Sequence, residues 1–137
     1  MHDETQHRAP IGYLVHEVAR LFRRRFEDEA RIHGVTLPQW RALAEIHRQE
    51  GISQVSLAGC IDTDPMTLSG ILDRLEKRGL VAMQPGEDQR EATLNLTAAG
   101  HAMIDRGTPL WQKTQSSVRN KLGADGVAQL EALLGAL

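Results

Sequence analysis

The residues with the clearest chemical use fall in two short stretches, 63–74 and 88–90. Thr63, Met66, Thr67, Ser69, Gly70 and Arg74 are small, polar, cationic or flexible, and they interleave with a regular leucine and isoleucine repeat. Side chains of this kind can exchange hydrogen bonds with base edges, touch a thymine methyl group or neutralise a phosphate. Gly70 permits close backbone approach. Asp88 and Arg90 are two residues apart, so in extended backbone they project to the same side. A carboxylate there can hold the guanidinium in one rotamer. An arginine so aimed suits a narrow A·T-rich minor groove, where negative potential is concentrated. Ser53 adds a hydroxyl at the start of the preceding helix. This is chemistry of nucleic-acid recognition. There is no Gly-rich phosphate loop, nucleophile motif or recognisable cleft pair of carboxylates, so no catalytic residue and no enzyme activity is expected.

Other reactive groups are read more plainly. Cys60 is the single cysteine of the 137 residues, which rules out an internal disulfide and a thiolate zinc cluster. It is expected to be a buried structural thiol, with a redox switch as the alternative. The histidines at 2, 7, 16, 33, 47 and 101 show no i, i+4 pair with a carboxylate pattern, so neither metal nor cofactor is expected. Trp40 is expected in the core and Trp111, beside Leu110, at a dimer interface.

Composition bounds the reading without favouring it. The chain carries a net charge of −2 and is long enough for one domain with a helical extension. The N-terminus is polar and no apolar run follows it, so no signal peptide, no membrane span and a cytoplasmic location are expected. Across 51–97, Arg74, Lys77, Arg78 and Arg90 oppose Asp62, Asp64, Asp73, Glu76, Glu87, Asp88 and Glu91, a local charge of −3. Phosphate binding normally needs a basic face. The few cations must therefore be well placed and the acids paired or turned away.

The elements that must position these residues follow from periodicity. Ile11, Leu14, Val15, Val18, Phe22 and Phe26 have helical spacing, in a helix expected to begin near Pro10 and end before Gly34. Arg23, Arg24 and Arg25 lie on its back. Thr36 and Gln39 form a capping box for a second helix, with Trp40, Leu43, Ile46 and His47 as its apolar stripe. Ser53 caps a third helix to about Cys60, with Val55, Leu57, Ala58 and Ile61 as buried candidates. Asp64-Pro65 opens a fourth that runs to Arg78 and stops at Gly79. Leu68, Ile71, Leu72 and Leu75 give that helix one core face. Two strands follow, Leu80–Met83 and Ala92–Leu96, joined by a polar loop from Gln84 to Glu91. Thr97 caps a fifth helix that Pro109 should kink or split, and a sixth is expected after Gly123. The fold class is mainly α with a small β-hairpin wing: a winged helix-turn-helix on a helical dimerisation stem. The stem takes 1–35 and 98–137, and the lobe 36–97.

The order and spacing of these features resemble a known family. Leu57-Ala58, Leu68, Leu72-Asp-Arg-Leu-Glu-Lys-Arg-Gly-Leu-Val81, Asp88-Gln-Arg90 and Leu96-Thr-Ala-Ala-Gly100 together look like the MarR family of bacterial transcriptional regulators. Gly34-Val-Thr-Leu-Pro-Gln-Trp-Arg-Ala-Leu43 resembles its second-helix entry. The resemblance covers about Val18 to Gly100. It implies a homodimer that places two lobes on a pseudo-palindromic operator in double-stranded DNA. It puts the fourth helix in the major groove, and Arg90 in the minor groove supported by Asp88. It implies a repressor relieved by a small amphipathic, commonly aromatic acid bound between lobes. His16, Arg20, Trp40 and Met103 are the candidate pocket residues. One departure matters: Gln89 stands where the family has a second wing arginine, which removes a phosphate contact. Gln89 and the acidic lobe leave open a winged-helix protein-interaction module without DNA binding. Cysteine redox sensing is a third alternative.

Overall fold

The computed structural model describes residues 11–88 and 91–137, apart from the side chain of Ile11. The expected helix start at Pro10 lies outside them. Helix α1 spans Ile11–Glu29, and a 3-10 turn at Arg31–His33 ends on Gly34 in left-handed backbone (φ 65°). Helix α2 (Leu37–Arg48) opens on the capping box read from the sequence: Gln39 N–H donates to Thr36 Oγ1 at 3.3 Å, and Thr36 N–H to Gln39 Oε1 at 3.2 Å. Strand β1 (Ile52–Ser53) leads into α3 (Gln54–Cys60), capped by Ser53. Helix α4 (Pro65–Lys77) follows its Asp64 cap, and β2 (Val81–Gln84) and β3 (Thr93–Leu96) form the hairpin. Helix α5 (Ala98–Gly135) begins at its Thr97 cap.

The strands form one antiparallel sheet in the order β1-β3-β2. Ile52 pairs with Leu94, and Val81 with Leu96, so Ile52, Val81, Leu94 and Leu96 all turn into the core. The core is one continuous cluster. It runs from Phe26 and Trp40 through Leu43, Leu57, Leu68 and Leu72 to Met103 and Ile104 on α5. Two glycines allow α5 to lie this close. A Cβ at Gly100 would overlap the Leu80 carbonyl oxygen, and one at Gly107 would overlap the Trp40 ring. Among the described residues no helix is long and apolar enough to cross a membrane.

Several sequence expectations are corrected. Helix α5 continues through Pro109 rather than splitting there; its break falls at Gly123 (φ 75°, ψ 166°), and the helical segment expected after Gly123 is present. Pro109 is exposed, so the Asp105 carbonyl that loses its partner one turn back opens to water. Val55 and Cys60 are exposed rather than buried. The inward stripe of α3 is Gln54, Leu57, Ala58 and, just past its end, Ile61, a 0, 3, 4, 7 pattern that misses both. His47 is also exposed; its ring meets His101 edge to face at 5.7 Å. Trp111, expected at a dimer interface, also meets its own chain: it is half-buried and packs against Phe22 (5.8 Å) and Phe26 (5.7 Å) in the seam between α1 and α5. The strand β1 was not anticipated, because two residues carry no readable alternation and their partner lies some 40 positions away.

Candidate nucleic-acid interface

Helix α4 owes its orientation to Leu68, Ile71, Leu72 and Leu75, all buried. Anchored along that line, it must turn its other side to solvent. Helix α3 braces it through a turn at residues 61–64 in which Asp62 takes left-handed backbone (φ 50°) and Thr63 N–H reaches the Ala58 carbonyl at 3.0 Å. The exposed side begins with Met66, 85% accessible, and continues through Thr67, Gly70, Asp73, Arg74 and Lys77. Ser69 and Thr63 are half-buried beside it. A Cβ at Gly70 would meet nothing within 4 Å, so the chain's own packing does not require glycine there.

The start of α4 is tightly organised. Asp64 Oδ1 accepts from Thr67 N–H at 2.9 Å, and Asp64 Oδ2 accepts from the Thr67 hydroxyl at 2.6 Å. The Thr67 hydroxyl bond, then the backbone bond from the same residue, holds the Asp64 carboxyl below the usual carboxylate range. Ser53 is used in the same way. Its Oγ accepts from Ser56 N–H at 3.2 Å and donates to Ser56 Oγ at 2.9 Å, which leaves less of it for a ligand.

The hairpin tip carries Asp88, whose Oδ1 accepts from Glu91 N–H at 3.2 Å, while Glu91 Oε2 accepts from Glu87 N–H at 3.2 Å. Asp88 and Glu91 thus shape the turn. Arg90, the partner expected for Asp88, and Gln89 lie outside the described residues.

Of the four cations counted across 51–97, Arg78 has an internal role. Its guanidinium donates to the carbonyls of His33 and Gly34, both at 2.8 Å, tying the end of α4 to the turn that links α1 with α2. Among the described residues, Arg74 and Lys77 make no ion pair within 4 Å. Sequence reasoning missed this role for Arg78, because its partners are main-chain atoms 44 and 45 residues away. Asp64 was recognised as a cap but not as a partner of the Thr67 side chain. A threonine three residues after an aspartate cap was the available signal.

The expected effector residues do not gather at one place. Trp40 and Met103 are each 5% exposed and belong to the core, where Trp40 tilts against Phe26 at 5.7 Å. His16 and Arg20 line an open recess of about 230 Å³ between α1 and the start of α2, with Ala19, Arg23, Leu37, Pro38 and Arg41. Arg20 is paired with Glu17 at 2.7 Å, which raises the pKa of its guanidinium. Among the described residues no three His, Cys, Asp or Glu side chains gather to hold a metal ion.

Comparison with known proteins agrees with this geometry. The MarR family model matches residues 35–92. The HTH-type transcriptional repressor Rv2887 of Mycobacterium tuberculosis is 27% identical over 127 residues, covering 92% of this chain and 91% of that protein. Wild-type MarR from E. coli in its apo form is 30% identical, with a TM-score of 0.77 and coverage of 94% of this chain and 97% of that one. A cysteine-to-serine mutant of E. coli MarR complexed with operator DNA superposes with a TM-score of 0.85 at 29% identity, covering 98% of each chain. With the core-anchored α4, the three-stranded wing sheet and near full-length agreement in fold, the chain belongs to the MarR family.

Proposed function

We propose that this protein is a homodimeric transcriptional repressor that binds double-stranded DNA, with α4 of each protomer in the major groove and each wing tip at the adjacent minor groove. The observation that carries the reading is the division of α4. Four buried aliphatic residues fix one side, and the other presents Met66, Thr67, Gly70 and Arg74 to solvent. Room for a Cβ at Gly70 supports it, since that space is left open to an incoming surface. In the division of labour that follows, Met66 meets a thymine methyl group, Thr67 and Ser69 meet base edges, and Arg74 reaches guanine or phosphate. Arg90 enters the minor groove with Asp88 beside it, and Ser53 and Thr63 flank the contact from α3 and the turn. The lobe is 36–97, and 1–35 with 98–137 form the stem.

Dimerisation is supported by apolar surface that the single chain leaves uncovered. Leu14, Val15, Val18 and Leu21 on α1, and Leu122, Leu130, Leu133 and Leu134 on α5, are 40–70% exposed. A second copy would bury them, and the two lobes would then face successive grooves. The recess at His16, Arg20, Arg23 and Arg41 combines cations with the apolar edge of Leu37 and Pro38, which suits a small acid with an apolar body. Binding there would favour a lobe spacing that no longer fits DNA. A regulator of this kind works on chromosomal DNA in the bacterial cytoplasm and has no catalytic step.

Titration of fluorescent duplexes from the protein's own upstream region tests the reading. A preferred fragment should bind below micromolar, and Arg74→Ala and Arg90→Ala should each weaken it by roughly 10-fold or more. If neither substitution matters, α4 and the wing are not the DNA-contacting surfaces. An aromatic carboxylate should release the bound fragment, and Arg41→Ala should blunt that release.

A further inference from the structure

The start of α4 carries a side-chain hydrogen bond that the helix cap alone does not require. The Thr67 hydroxyl has one proton, and that proton is given to Asp64 Oδ2 at 2.6 Å. Asp64 cannot return a proton, because its other oxygen accepts from Thr67 N–H at 2.9 Å and the group is a carboxylate. What faces solvent from this pair is therefore only lone pairs, two on Thr67 Oγ1 and those remaining on Asp64. Both residues are exposed. A capped helix needs the bond to the Thr67 backbone. It does not need the second bond to the side chain, and alanine at that position would leave the cap intact.

We infer that the Asp64–Thr67 pair acts as an acceptor-only reader, selecting a base whose major-groove edge presents an exocyclic amine, cytosine N4 or adenine N6. This rests on the reading that α4 enters the major groove. Guanine offers O6 and N7 and thymine offers O4, all acceptors, so either would face lone pair against lone pair at this position. Asp64 is a positioning residue: it fixes the direction of the Thr67 proton and thereby the sign of the readout. Its charge carries a cost near phosphate, which a neutral cap would avoid.

Selection of the full-length protein on a randomised duplex pool, followed by titration of single-base variants, tests the inference. Wild type should restrict one position per half-site to cytosine or adenine on one strand. Replacing that base by its amine-free analogue (2-pyrimidinone or purine) should cost about fivefold to tenfold in Kd, and which analogue has the effect separates the two bases. Thr67→Ser should keep the preference and Thr67→Val should lose it. Asp64→Asn preserves the cap but turns an amide donor onto Thr67 Oγ1, so the hydroxyl proton points outward and the preference should shift to guanine or thymine. Circular dichroism of each variant checks that α4 remains folded. Suppose Arg74→Ala weakens binding but Asp64→Asn and Thr67→Val select the same base as wild type. The inference is then overturned while the major-groove reading stands. If Arg74→Ala and Thr67→Val both bind the selected duplex as wild type does, the major-groove reading falls and the inference with it.

Discussion

At the scale of single residues, short polar side chains hold the geometry that a DNA reader needs. Asp64 shows this best. Its carboxyl is held below the usual range by bonds from Thr67, so its help to α4 is present above the unfolded carboxyl pKa and is lost as pH falls through the lower folded value. In acid below about pH 4, the Thr67 amide should therefore lose protection against hydrogen exchange. Asp64→Asn should show no such step; an identical acid profile for both proteins would mean that Asp64 does not organise the helix start. Gly107 makes a different contribution. A methyl group there overlaps Trp40, so Gly107→Ala should destabilise the fold by about 1–3 kcal/mol in urea unfolding. A change near zero would show that α5 can shift away from Trp40 at no cost.

At the scale of elements, what was readable in the sequence was what is local. The Thr36–Gln39 capping box, the Asp64-Pro65 helix start and the Leu68, Ile71, Leu72, Leu75 face each depend on residues within about two turns of one another, and the structure contains all three. The missed features depend on distant partners. Trp111 meets Phe22 and Phe26 on α1, β1 needs β3 to exist, and Arg78 is anchored to carbonyls just before the lobe begins. Cys60 was misplaced because a two-turn helix has too few apolar residues to reveal which side is inward. The candidate site was legible as residue types on α4, but the Asp64–Thr67 bond was not. The tie made by Arg78 has its own consequence. Arg78→Ala should leave the cores of α4 and α2 intact and cost about 1 kcal/mol, with increased hydrogen exchange confined to residues 31–36. Global loss of protection instead would contradict a local strut.

At the scale of the whole molecule, charge and assembly decide whether these parts can work. The lobe has a local charge of −3 over 51–97, Gln89 at the wing is uncharged, and Arg78 is engaged internally. Within 51–97 that leaves Arg74, Lys77 and Arg90 in each protomer as cations for DNA. A single protomer would offer too few contacts for tight binding, so the assembly matters. Leu133→Glu on the uncovered face of α5 should give a monomer in sedimentation velocity and lose DNA affinity together with dimerisation; a dimer that persists unchanged would place the interface elsewhere. The most direct test of the account is the salt dependence of binding of the intact protein to its preferred upstream duplex. Six cations from two protomers predict a slope of log K against log salt of about −5, with one dimer per site and a slope about two units shallower for Arg90→Ala. A slope near zero, or no duplex bound below micromolar at low salt, would contradict the claim that this protein is a dimeric DNA-binding regulator.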